Sequence, residues 1–84
     1  MYGLTNEMKR KMRHSAMISF RASLELLDEA GCLSSVYHAS GVVFGKIAMM
    51  EMCGVISSHD RDVLDFYRCS HVDFAFIRLR KGVA

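Results

Sequence analysis

Apolar residues recur along this chain at intervals of three and four, the spacing that places side chains on one face of an α-helix. Met8, Met12, Ala16, Phe20, Leu24 and Leu27 fall on such a face and predict helix I over about residues 6–30. Val36, Ser40, Val43, Phe44 and Ile47 form the main stripe of helix II, over about residues 35–53. Val42, Met49, Met50 and Met52 occupy its other sides, so this helix is apolar nearly all round and calls for cover on more than one face. Val63, Phe66, Tyr67, Ser70, Phe74 and Ile77 carry helix III over about residues 58–79. Val72, Phe74 and Phe76 also alternate as a strand would. No second strand is evident to satisfy the backbone of a lone one, and the helical reading stands.

A five-residue phrase occurs twice, 23 residues apart: Gly31-Cys32-Leu33-Ser34-Ser35 and Gly54-Val55-Ile56-Ser57-Ser58. Each begins with a glycine able to take the left-handed conformation that ends a helix, and closes on serines able to cap the next one. After the second, Asp60 and Asp62 follow early, where negative charge favours a helix start. The phrase is too short for a solenoid repeat. The expected fold is all-α: a small three-helix bundle running up, down and up, as a single helical domain over residues 1–84.

Ala, Val, Ile, Leu, Met, Phe, Cys and Gly make up 46 of the 84 residues. That share exceeds the roughly 45–50% of ordinary soluble domains. A chain this short buries only about 60% of the surface it exposes when unfolded, so its core is thin. A homodimer is therefore expected, with self-association through Val43, Met49, Met50 and Met52. Cys32, Cys53 and Cys69 match no disulfide framework, and the first six residues lead straight into a charged run with no secretory pattern. The expectation is a cytoplasmic protein with free thiols. The longest apolar stretch, around Val42 to Val55, is interrupted by Lys46 and Glu51 and is too short to span a bilayer, so no membrane role is expected.

The net charge of +2 is too small for a dedicated nucleic-acid binder. Its distribution says more. Lys9, Arg10, Lys11 and Arg13 make a basic start, Arg78, Arg80 and Lys81 a basic end, and the middle is acidic. These seven residues are the candidate partner-binding set. On a helix the run from Lys9 to His14 fans over about half the circumference and suits phosphates or an acidic partner. Helix I is also charged against its own dipole, with cations at its start and Glu25, Asp28 and Glu29 near its end. In an up-down-up bundle that arrangement sets its basic start beside Asp60, Asp62 and Asp65 and its acidic end beside Arg78, Arg80 and Lys81. Each exposed pair contributes only about 0–1 kcal/mol, so charge segregation sets register more than stability.

Other chemistries find less. A helix-turn-helix needs a basic recognition helix. The helix after Gly54 opens His59-Asp60-Arg61-Asp62, and the one after Gly31 has no Lys or Arg before Lys46. Cys32/His38 and Cys53/His59 repeat one six-residue offset, with Cys69 and His71 further on, but structural zinc ligands usually sit two to four apart. His14-Ser15, Ser70-His71-Asp73 and Cys69 with His71 hold nucleophile and base residue types without the spatial arrangement a triad requires. No catalytic residue, metal or cofactor is assigned, and no enzyme is expected. Met49, Met50 and Met52 suit either a core or an adaptable binding surface. Gly41 and Gly45, one turn apart, leave helix II a shallow place for another helix to approach.

In length, composition and lack of a catalytic set the chain resembles, in style, small accessory proteins of phages and plasmids such as anti-CRISPR proteins and other inhibitors of host defence. The resemblance implies a non-catalytic helical binding protein that inhibits or regulates a larger macromolecular target, a protein, by occupying its surface. The alternative is a nucleic-acid-associated regulator that uses the basic N- and C-terminal segments.

Overall fold

Three helices follow one another in the computed structural model, which describes residues 5–81: α1 (Asn6–Glu29), α2 (Leu33–Met52) and α3 (Ser58–Arg80). Residues 1–4 and 82–84, the two ends of the expected 1–84 domain, lie outside the described residues. Among the described residues there is no strand, and residues 71–80 are helical throughout. All three helices feed one apolar core.

The two joints, alike in sequence, fold differently. At the second, Gly54 takes φ +73°, a conformation that costs most other residues about 1–2 kcal/mol. The Val55 N–H then reaches Met50 O at 2.9 Å and the Gly54 N–H reaches Glu51 O at 3.0 Å. This is the paired closure of a Schellman motif, and Val55 and Met50 are both buried, as its apolar contact requires. Ser57 then caps α3.

The first joint departs from expectation. Gly31 takes no positive φ, and α2 begins at Leu33 with Cys32 in the cap position, not at about residue 35 behind a serine. The reason lies in how α1 ends. Ala30 and Cys32 are both extended, so the chain passes into α2 without a left-handed turn. The carbonyls such a turn would have satisfied are taken from outside: the Arg78 guanidinium donates to Asp28 O at 2.8 Å and also to Ala30 O.

The start of α3 is a reciprocal capping box. The Asp60 N–H donates to Ser57 Oγ at 3.1 Å, and the Ser57 N–H donates to Asp60 Oδ2 at 3.2 Å. The Ser57 backbone N–H first, then the Ser57 side chain, hold the Asp60 carboxyl below its ordinary value, and the charges of Arg13 and His59 add to the shift. A carboxyl depressed on folding contributes stability that is complete above its unfolded value and is lost as pH falls through the depressed one. In an NMR titration Asp60 should protonate below an ordinary aspartate, and Ser57→Ala should return its midpoint upward. An unchanged midpoint in that variant would show that the Ser57 hydroxyl takes no part in the shift and leave it to the backbone contact.

Within α1, Phe20 and Leu27 of the expected stripe are buried and Ala16 and Leu24 pack against the core, but Met8 and Met12 are exposed. Residues 5–15 are exposed throughout, because α1 passes the α2–α3 joint near Arg13, whose Nε donates to Val55 O at 3.1 Å. On α2, Val36, Val43 and Ile47 face inward as expected, joined by Ala39 and Met50. Phe44 instead lies exposed beneath the Arg68 guanidinium, 5.4 Å from its ring centre. Gly41 and Gly45 are exposed, and a methyl group added at either meets nothing within 4 Å, so no helix of this chain uses that approach.

The largest departure is on α3. Its expected core stripe faces outward: Val63, Phe66, Tyr67, Phe74 and Ile77 are between 41% and 69% exposed. The core takes Leu64 and Ala75, flanked by Val72, Phe76 and Leu79. Two anchors orient the helix this way. Val55 and Ile56 are buried immediately before its cap, and Arg68 reaches across to the Ser40 hydroxyl at 2.7 Å while holding Asp65 at 2.8 Å.

Candidate functional site

The parallel course of α1 and α3 decides where the charged residues go. At one end Asp28 meets His71 Nδ1 at 2.8 Å and Arg78 closes the end of α1. At the other, Arg13 binds the Val55 carbonyl and acts on Asp60. The two basic segments are thus at opposite ends of a body measuring 53 × 19 × 15 Å. The seven candidate partner-binding residues do not form one patch.

Their environments differ as well. Arg78 is occupied with the α1 carbonyls, whereas Arg80 and Lys81 are exposed and form no ion pair among the described residues. At the start of α1, Lys11 lies 3.9 Å from Glu7 on the surface, and Lys9 and Arg10 form no ion pair among the described residues. Of the expected pairing with α3, no ion pair to that helix forms from Lys9, Arg10, Lys11 or Arg13 among the described residues, and Arg13 reaches α3 only through its charge on Asp60. Asp62 is held by Arg61 at 3.0 Å and Asp65 by Arg68.

Beside this basic start is an open groove of about 410 Å³ between α1 and the end of α2, lined by Lys11, Met12, Ser15, Ala16, Met49, Met50, Cys53 and Val55. Of the residues expected to mediate self-association, Met50 is buried at its floor, Val43 is fully buried in the core, and Met49 and Met52 remain exposed. The fold therefore unites two sets that are distant in sequence. Met12 from α1 meets Met49 and Met50 from α2 in this groove, with Lys11 beside them. Such thioether side chains adapt to varied apolar surfaces, and the neighbouring cations favour an acidic one.

Other chemical groups are engaged singly. His71 is bound to Asp28, and no hydroxyl or thiol among the described residues hydrogen-bonds to it. No three His, Cys, Asp or Glu side chains among the described residues gather as a metal-binding group. Cys32 is exposed, with its thiol 3.3 Å from the Ser35 hydroxyl. The Ser35 side chain and backbone, then the Ser34 backbone, hold the thiol below its ordinary value.

The body's cross-section also bears on nucleic acid. A 20-residue helix is about 30 Å long, so within a 53 × 19 × 15 Å body all three helices must lie lengthwise. A helix-turn-helix crosses its two helices at about 90–120°, which neither joint does. Among the described residues no helix is long and apolar enough to cross a membrane.

The outward stripe of α3 is the surface that its sequence places on the core side. Its periodicity is plain, but two stripes of the helix are apolar, and the more hydrophobic of them faces outward. Comparison with protein-family models, with curated proteins and with solved structures finds no match to this chain.

Proposed function

We propose that the protein is a non-catalytic helical binding protein of the cytoplasm that inhibits or regulates a larger protein target by occupying its surface, and that it works as a homodimer. The observation that carries this reading is the groove lined by Met12, Met49 and Met50, with Lys11 at its side on the α1 segment that also carries Lys9, Arg10 and Arg13. An amphipathic segment lays its apolar anchors into a groove of this kind. Surrounding cations steer an acidic segment to it and raise the rate of encounter. The small size and the helical fold support the comparison with phage and plasmid accessory proteins, inhibitors of host defence among them. The dimer reading is supported by the large apolar side chains left exposed on all three helices.

Fluorescence anisotropy with an acidic amphipathic helical peptide and with duplex DNA, each across a salt series, tests the reading. The peptide should bind at physiological salt. Changing Lys9, Arg10, Lys11 and Arg13 together to Ala should weaken its binding about tenfold or more, and Met49→Asp should do the same. Duplex DNA should bind without sequence preference and be lost by physiological salt, since four phosphate contacts give a logarithmic salt slope near −4. Sequence-selective DNA binding that persists at physiological salt and disappears in the fourfold variant would overturn the protein-target reading in favour of nucleic acid.

A further inference from the structure

Helix α3 presents apolar residues in two directions, and the core takes up only one. The outward set, Val63, Tyr67, Ser70, Phe74 and Ile77, recurs at alternating intervals of four and three, the spacing of a helix–helix seam, with Phe66 alongside. At about 100° per residue its centre lies roughly 110° around the helix from Leu64 and Ala75. A second helix can therefore pack there while the core stays intact. The large members of the set are already solvent-exposed.

We propose that two copies of this chain pair through this face, antiparallel, about a two-fold axis passing Ser70. The inference rests on the dimer reading above and adds its surface and orientation. Charge decides the orientation. Asp60 and Asp62 stand at the start of α3, and Arg78 and Arg80 at its end. A parallel pair sets acid level with acid and base with base. An antiparallel pair centred on Ser70 sets Asp60 level with Arg80 of the second copy, while Arg78, though bound to the α1 carbonyls, keeps its positive charge at the same end of the helix. The same operation sets Val63 level with Ile77 and Phe66 level with Phe74, so apolar groups meet apolar groups on both sides of Ser70, while Tyr67 falls level with Asp73. Ser70 meets itself, and as the smallest side chain of the set it lets the helices approach where they cross. A surface that matches its own two-fold image in both size and charge is what an isologous interface requires. An unrelated amphipathic helix would need the same charge gradient, reversed, to fit as well.

Sedimentation velocity between about 1 and 100 µM tests the proposal, a range spanning common dimer affinities. The wild-type chain should dimerise. Phe66→Glu and Phe74→Glu replace side chains that are each 69% exposed, so both variants should keep wild-type circular dichroism. Each should raise the dissociation constant about 100-fold or more, because every dimer loses two aromatic anchors. A wild-type chain that stays monomeric over the range overturns both the dimer reading and this interface. A dimer that survives both substitutions overturns the interface and leaves the dimer reading standing. Orientation is read by crosslinking in a background with Cys32, Cys53 and Cys69 changed to Ala. V63C mixed with I77C should give a disulfide-linked dimer joining the two different chains. Crosslinking of V63C to itself would overturn the antiparallel arrangement.

Discussion

Val43→Asp should leave the chain unfolded in buffer, with the helical circular dichroism signal largely lost, while Met49→Asp and Met52→Asp should keep near-wild-type helicity. Val43 is fully buried at the centre of α2. Removing its side chain from the core forfeits about 1.5–3 kcal/mol of burial. Placing an ionised carboxylate there without a partner costs several kcal/mol more, or forces the group to stay protonated. A domain of this length has a total stability on the order of 4–13 kcal/mol, so one such change removes most of it. Met49 and Met52 are 58% and 81% exposed and make no comparable demand. Urea denaturation followed at 222 nm separates the cases. A cooperative transition near the wild-type midpoint in Val43→Asp would mean that this side of α2 does not face the core. Val43 therefore does not serve to test self-association, since its loss removes the fold before it can report on an interface.

Arg78→Ala should lower stability by about 1–2 kcal/mol, a fall in melting temperature of about 5–15 °C, while Arg80→Ala should leave it within about 0.5 kcal/mol. The two arginines are two residues apart on one helix and differ in what they touch. Arg78 donates to the Asp28 and Ala30 carbonyls, which the extended exit from α1 leaves without helical partners. Arg80 has no ion pair among the described residues. Arg78→Lys should recover only part of the loss, because a single ammonium cannot reproduce a planar fork reaching two carbonyls. Thermal melts of the three variants provide the measurement. Equal melting temperatures for Arg78→Ala and Arg80→Ala would show that the end of α1 does not depend on this contact. The same comparison bears on function, since it divides the basic C-terminal segment into a structural residue and residues open to a partner.

The sequence alone determined the helices and one of their joints. Periodicity and capping are local properties, and the expected spans of about 6–30, 35–53 and 58–79 lie within two residues of the observed ends. Gly54 and Ser57 took their expected roles because the Schellman turn and the capping box are each completed within a few residues. The first joint escaped the same reasoning because its decisive contact comes from Arg78, nearly 50 residues away. Part of the candidate site was legible too: the basic start of α1 and the methionines of α2 both stood out by residue type. That they lie side by side, and that Arg78, Arg80 and Lys81 lie at the far end, followed only from the direction in which the three helices pack. Tertiary structure also decided which face of α3 is the core. Hydrophobicity favours the stripe from Val63 to Ile77, yet burial went to Leu64 and Ala75. The entry angle at Val55, Ile56 and Ser57 and the reach of Arg68 to Ser40 turn that weaker stripe inward. Periodicity identifies which residues share a face, but which face turns inward is a property of non-local packing.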